Sequence, residues 1–280
     1  MPVSHCAARC LLTLLLSIAS TGARAAERCT PLPGIGRALP AAGLVLVGET
    51  HGNAEMPQAF VGIVCTALQQ GQPVSVGLEL WQDQAAPLQA YLNSDGGAAS
   101  RQALLGTVFW QKAMDGRSSV AYLDMIDQLR QLRQKHAQLS VFVLYEDEVQ
   151  APRQQPDQVM ANRLRKETLA RPTALVLSYS GNYHAMLAPP APRVPAPNPP
   201  PQPMGALLAD LAPVSINLVD AGGTTWACMK GRCGVHDLMH GPAQPAWQLV
   251  ESGQRMQYSF DMNVGKTTAS APAVANPTAK

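Results

Sequence analysis

The chain has 280 residues, with 21 Lys and Arg against 19 Asp and Glu and a formal charge of +2. That balance, with no Lys/Arg cluster interleaved with aromatics, excludes a phosphate-tracking surface, so no nucleic-acid partner is expected. The length fits one large domain with a sizeable core.

The N-terminus reads as a leader. Arg9 marks a short basic region, residues 10–18 are apolar, and Ala23-Arg24-Ala25 fits a small-x-small cleavage rule. This is the pattern of a signal peptide over residues 1–25, cleaved near Ala25, which predicts a periplasmic or secreted protein. The apolar run is well short of the ~20 residues of a membrane span, and no later run is long enough, so no transmembrane segment is expected. Arg9 stands where a lipoprotein signal wants a small residue before its cysteine, which argues against lipid attachment through Cys10. Cleavage would remove two arginines and no acid, leaving 19 basic and 19 acidic residues and no net charge.

Four cysteines would remain in a compartment that permits disulfides: Cys29, Cys65, Cys228 and Cys233. Cys228 and Cys233 bracket a plausible turn, Met-Lys-Gly-Arg, and are expected to pair, leaving Cys29 for Cys65. The alternative is a metal site of Cys228, Cys233, His236 and His240. Its Cys-to-His gap is far shorter than in a zinc finger, and an oxidising compartment favours the bridge.

Residues 43–48 form a short apolar run, the pattern of a strand buried on both faces. After a Glu-Thr-His-Gly-Asn loop, Ala59, Phe60, Ile63, Val64, Ala67 and Leu68 recur at helical spacing, and Gly71 ends the helix. A second strand over 74–80 completes a β-α-β unit with parallel strands. A helix over 120–136 precedes a third strand at 140–145, and a polar helix at 157–170 precedes a fourth at 174–179. A fifth lies at 214–219, after a short helix at 204–211. The alternation predicts an α/β fold, a mainly parallel central sheet with helices on both faces. Residues 222–228 and 256–264 read as added C-terminal strands that could close the sheet edge. The domain is expected to span residues 26–266, interrupted by a proline-rich loop at 189–203 with nine prolines, too many for a helix or central strand. The polar stretch 267–280 reads as disordered.

Ligands of parallel α/β sheets bind beyond the carboxyl ends of the strands, so the residues that follow each strand carry the functional expectation. They are Glu49, Thr50 and His51 after the first, Glu79 at the end of the second, and Glu146, Asp147 and Glu148 after the third. Asn182, Tyr183 and His184 follow the fourth, and Asp220 the fifth. Glu79 interrupts an apolar run, where an unpaired carboxylate would be costly, so it needs a partner: a site, a structural salt bridge or loop amides. His51, in a Gly-flanked turn, could be a general base, a metal ligand or a loop anchor. Glu55 falls in the first turn of its helix and His136 at the end of another, where each charge suits the macrodipole. Asp147 and Asp220 could cap loops. Two His and two Glu suit a divalent metal such as zinc, manganese or cobalt, and equally a metal-free site where His51 deprotonates water. Spacing does not separate these.

The run Gly48-Glu49-Thr50-His51-Gly52-Asn53-Ala54-Glu55, followed after a helix by Gly77-Leu78-Glu79, resembles the superfamily joining erythromycin esterase-like hydrolases with ChaN-like and Tiki (TraB) proteins. Gly181-Asn182-Tyr183-His184-Ala185 resembles that group's second Gly-x-x-His element. The stretch 258–264 with Gly-Lys-Thr-Thr-Ala-Ser after it resembles the closing strand of ChaN-like members. Together these span residues 43 to about 270, and length and export fit the ChaN-like branch best. The resemblance implies an α/β domain with a site at Glu49, His51, Glu79 and His184. It does not imply one activity. Esterase-like members hydrolyse an ester with His-activated water, Tiki members are metal-dependent proteases, and ChaN-like members are linked to haem or iron uptake.

Two functions are therefore expected to compete. One is an exported hydrolase acting on a small-molecule or peptide substrate, with Glu49, His51, Glu79 and His184 holding a water or a divalent metal and the helix N-terminus near Asn53 helping with the oxyanion. The other is a non-catalytic haem- or iron-binding protein using His184, Tyr183 or Tyr145 as ligands. The absence of Cys-x-x-Cys-His argues against covalent haem attachment. A degenerate binding module is a third possibility.

Overall fold

The computed structural model describes residue 1 and residues 29–113, 115–145, 155–191, 201–229, 232–239 and 246–275. The expected signal peptide, Glu146, Asp147, Glu148, His240 and most of the proline-rich loop lie outside these residues.

Apolar, β-branched runs supply the central strands. These are β1 (Gly43–Glu49), β2 (Val74–Leu78), β3 (Leu139–Val143), β4 (Leu175–Gly181) and β5 (Val214–Val219). Between them run α1 (Glu55–Gln69), α2 (Ala85–Leu92), α3 (Ala98–Leu105), α4 (Val108–Lys112), α5 (Val120–Lys135), α6 (Pro156–Ala170) and α7 (Met204–Leu207). Four further strands close the order: β6 (Gly223–Met229), β7 (Arg232–Leu238), β8 (Leu249–Glu251) and β9 (Phe260–Asn263).

Seven strands form one sheet in the order β3-β2-β4-β1-β5-β9-β8, parallel except for the edge strand β8. Successive side chains point to opposite faces, and both faces are covered. Val45 and Val47 of β1 pack into one core cluster with α1 and α5, while Leu44 and Leu46 pack into another with α6 and α7. This is the expected α/β architecture. No helix among the described residues is long and apolar enough to cross a membrane.

β1 and β2 are parallel with β4 between them, an order the sequence reading left open. Three details differ from that reading. Residues 82–112 contain the short helices α2, α3 and α4, which the periodicity did not isolate. The strand expected at 222–228 does not close the sheet: β6 pairs only with β7, as a separate antiparallel hairpin. The stretch from Thr267, expected to be disordered, is packed as far as it is described. Thr267 and Ser270 are buried, and backbone bonds tie the segment to Gly52, Ala54, Ser118 and Thr224. Its small residues fit a narrow path along loops that need hydrogen-bond partners.

Both expected disulfides are present, Cys29 with Cys65 and Cys228 with Cys233. With its two cysteines bonded to each other, the alternative metal site with His236 is ruled out. The His236 ring is 3.1 Å from the Ala227 carbonyl oxygen instead.

Candidate active site

The three central strands β2, β4 and β1 end on the same side of the sheet, and the residues singled out in the sequence lie at or just past their ends. Register explains the convergence: Glu49 pairs across β1 and β4 with Gly181, and Leu78, just before Glu79, pairs with Tyr179. Glu79 lies just past β2 rather than inside it, and its amide still donates to the Tyr179 carbonyl at 3.1 Å. Glu49 and Glu79 are each only 3% exposed.

His51 is held from both sides. Its Nδ1 makes a hydrogen bond to Glu49 Oε1, and its carbonyl accepts one from the Thr225 hydroxyl of β6. The next residue, Gly52, has φ +83°, and a Cβ there would lie 2.0 Å from the Trp226 carbonyl oxygen. Only glycine fits that turn. With Nδ1 occupied, Nε2 faces Glu79, 3.6 Å from Oε2.

Glu79 is the hub. Its Oε2 accepts the Gly181 amide at 2.7 Å, and its Oε1 accepts from Arg117 Nη1 at 2.9 Å. His184 reaches it from the other side, with Nε2 3.8 Å from Oε1. His184 Nδ1 lies 2.7 Å from Asp157 Oδ1. Gly181 floors the space between the imidazoles. A Cβ there would sit 3.3 Å from His51 Nε2, 3.5 Å from His184 Cδ2 and 3.7 Å from Glu79 Oε2.

The structure thus brings Glu49, His51, Glu79 and His184 together and adds three residues that sequence reasoning missed. Arg117 and Asp115 come from the loop before α5, and Asp157 from the first turn of α6. Arg117 was a single arginine in a polar Asp-Gly-Arg turn. The available signal was the need of Glu79 for a buried cation. Tyr183 lies at the rim, its ring 5.9 Å from that of His184 and its hydroxyl donating to the Pro201 carbonyl. The remaining candidates have local roles. Glu55 accepts the Thr268 amide, Asp220 accepts the Gly222 amide in its own turn, and His136 caps α5. The α1 N-terminus is partly used up as an oxyanion donor, because the Met56 amide bonds the Asn53 side chain and the Ala54 amide bonds Thr268.

Four carboxylates against one guanidinium set the electrostatics. Burial lowers the His51 pKa, but Glu49 and then Glu79 outweigh it and raise it to about 9. His184 is likewise raised: burial opposes, Asp157 and Glu79 prevail. Asp115 resists the upward push of burial, and Arg117 draws its pKa down. Burial, then the negative charge of Glu79, pushes the Tyr145 phenol up. Tyr145 therefore stays a neutral hydroxyl.

This arrangement does not fit a divalent metal. Among the described residues no three His, Cys, Asp or Glu side chains are grouped to hold one, and Arg117 already neutralises Glu79. A second cation beside the guanidinium would meet fixed repulsion.

Compared by sequence, the chain matches no protein-family profile and no curated protein. Compared by structure, it is similar to a protein of Bacillus cereus, with a TM-score of 0.54, 11% identity, and 86% of this chain and 92% of the other covered. It is also similar to a mutant of the erythromycin esterase EreC in its open conformation, with a TM-score of 0.52, 13% identity, and 86% and 79% covered. Haem-bound ChaN of Campylobacter jejuni aligns at a TM-score of only 0.35, with 14% identity and 64% and 82% covered. The fold is the one that the motif resemblance implied, and such low identities speak to the fold alone.

Proposed function

We propose that the chain is an exported hydrolase that attacks an ester or amide carbonyl with a water activated by His51, without a metal ion. The observation that supports this best is the pairing of His51 Nδ1 with Glu49, which leaves Nε2 above Gly181 between Glu79 and His184. A water on that floor passes a proton to Nε2 as its oxygen bonds the carbonyl carbon. The tetrahedral oxyanion collapses as the charged His184 gives its Nε2 proton to the departing alcohol or amine and is left as the neutral Nδ1–H ring. Two imidazoles on one floor can divide the proton work, each step contributing roughly 10²- to 10⁴-fold. Arg117, bonded to Glu79, brings positive charge near the forming oxyanion.

A second reading is haem or iron binding through His184 with Tyr183 or Tyr145. It is favoured by the half-buried Tyr183–His184 pair and by the carboxylate on Nδ1, a common partner of ligating imidazoles. One experiment separates the two. Residues 26–280 are screened with p-nitrophenyl esters and peptides, alone and as His51→Ala, and titrated with haem while the visible spectrum is recorded. Hydrolysis lost in His51→Ala supports the enzyme. Hydrolysis unchanged in that variant overturns it, and a haem spectrum abolished by His184→Ala supports the binder.

A further inference from the structure

If His184 works on the substrate side, one particular ring nitrogen must face it, and the imidazole alone does not determine which. The surroundings do. Asp157 is fixed before it meets the ring: it lies in the first turn of α6, where a carboxylate suits the helix dipole, and its Oδ1 accepts the Met204 amide at 2.7 Å. Met204 opens α7, and the next residue, Gly205, donates its amide to the His184 carbonyl at 2.9 Å. A Cβ on Gly205 would lie 2.5 Å from the Met186 carbonyl oxygen, so α7 sits directly on the turn that carries His184. The same Oδ1 is 2.7 Å from His184 Nδ1. Carboxylate, imidazole and α7 form a closed ring, and Nε2 is left on the side of Glu79 and Gly181.

We infer that Asp157 is the positioning residue of His184: its carboxylate accepts Nδ1–H, so the charged ring presents Nε2–H to the Gly181 floor and the neutral ring left after that proton departs is the Nδ1–H tautomer. The catalytic consequence rests on the hydrolase reading, whereas the tautomer does not. A carboxylate that served only to join α6 and α7 would leave the ring free to choose the other tautomer.

The test is nitrogen NMR of the histidine side chains in the free protein, at a pH where His184 is neutral, with steady-state kinetics on the ester that the wild type hydrolyses. Wild type shows Nδ1–H at His184. Asp157→Ala shifts the ring to Nε2–H, and so does Asp157→Asn, which preserves shape and can turn its amide donor to Nδ1. Both lower kcat by about 100-fold with KM within about 3-fold, while Asp157→Glu recovers part of the rate. Circular dichroism verifies the fold of each variant. An unchanged tautomer in a folded Asp157→Asn overturns the inference, and so does a shifted tautomer with kcat unchanged. A wild type that hydrolyses nothing defeats the hydrolase reading, and the tautomer measurement still decides what Asp157 does to His184.

Discussion

Arg117 Nη1 donates to Glu79 Oε1 at 2.9 Å, tying the loop before α5 to the carboxyl end of β2. Both side chains are largely buried, so removing the cation strands a carboxylate in a poorly solvated site. Arg117→Met is expected to destabilise the protein by about 3 kcal/mol, read as a lower urea midpoint. Arg117→Met with Glu79→Gln should recover much of that loss. Equal stability of the single and double variants would show that the two groups are not coupled.

His51 gives stability a pH dependence of known sign. Its folded pKa is raised from 6.5 to about 9. The stabilisation is therefore fully present below about 6.5 and lost as pH rises through about 9, because there the folded state gives up a proton that the unfolded state has already lost. His184, also raised, acts in the same direction. The Tm under non-reducing conditions should fall across that window, and His51→Gln should flatten the fall.

Two glycines should behave in opposite ways. Gly181 lies outside the left-handed region, so Gly181→Ala is tolerated by the backbone while its methyl group enters the space beside His51 Nε2. Activity should fall by at least about tenfold with Tm little changed. Gly52→Ala meets both a positive φ and a carbonyl oxygen 2.0 Å away, and should cost about 2 kcal/mol or more. A thermal melt of each, with a rate assay, checks both.

The positions of Glu49, His51, Glu79 and His184 were legible because strand ends in a parallel sheet are predictable from short apolar runs. Arg117, Asp115 and Asp157 were not, since each reaches the site from a loop or helix start whose direction depends on tertiary packing. The sequence required a partner for Glu79 but did not identify Arg117, whose bond to it argues against the divalent-metal alternative. Hydropathy likewise misread residues 267–275. Small polar residues suggest disorder, yet here Ser270 donates its amide to the Gly52 carbonyl and Ala273 to that of Ser118. Such bonding is invisible in composition. The same blindness covers β6, which pairs with β7 in a hairpin rather than with the sheet.

That C-terminal segment braces the loops of both His51 and Arg117. Deleting residues 267–280 is expected to lower Tm and to reduce hydrolysis by more than the loss of folded protein explains. Activity per folded molecule equal to that of the full chain would show that the segment does not brace the site.

Chelation gives another expectation. With Arg117 in place of a cation, overnight dialysis against EDTA should leave ester hydrolysis unchanged. Loss of activity restored by zinc or manganese would contradict a metal-free site.

The most direct test of His51 as the base is kcat/KM from about pH 6 to 10, for wild type and Glu49→Gln. Wild type should show a rising limb that inflects near 9, where His51 loses its proton. Glu49→Gln should move that inflection down, because the carboxylate that holds the imidazolium is gone. A profile flat through this range, or an inflection at the same pH in both proteins, would contradict the assignment.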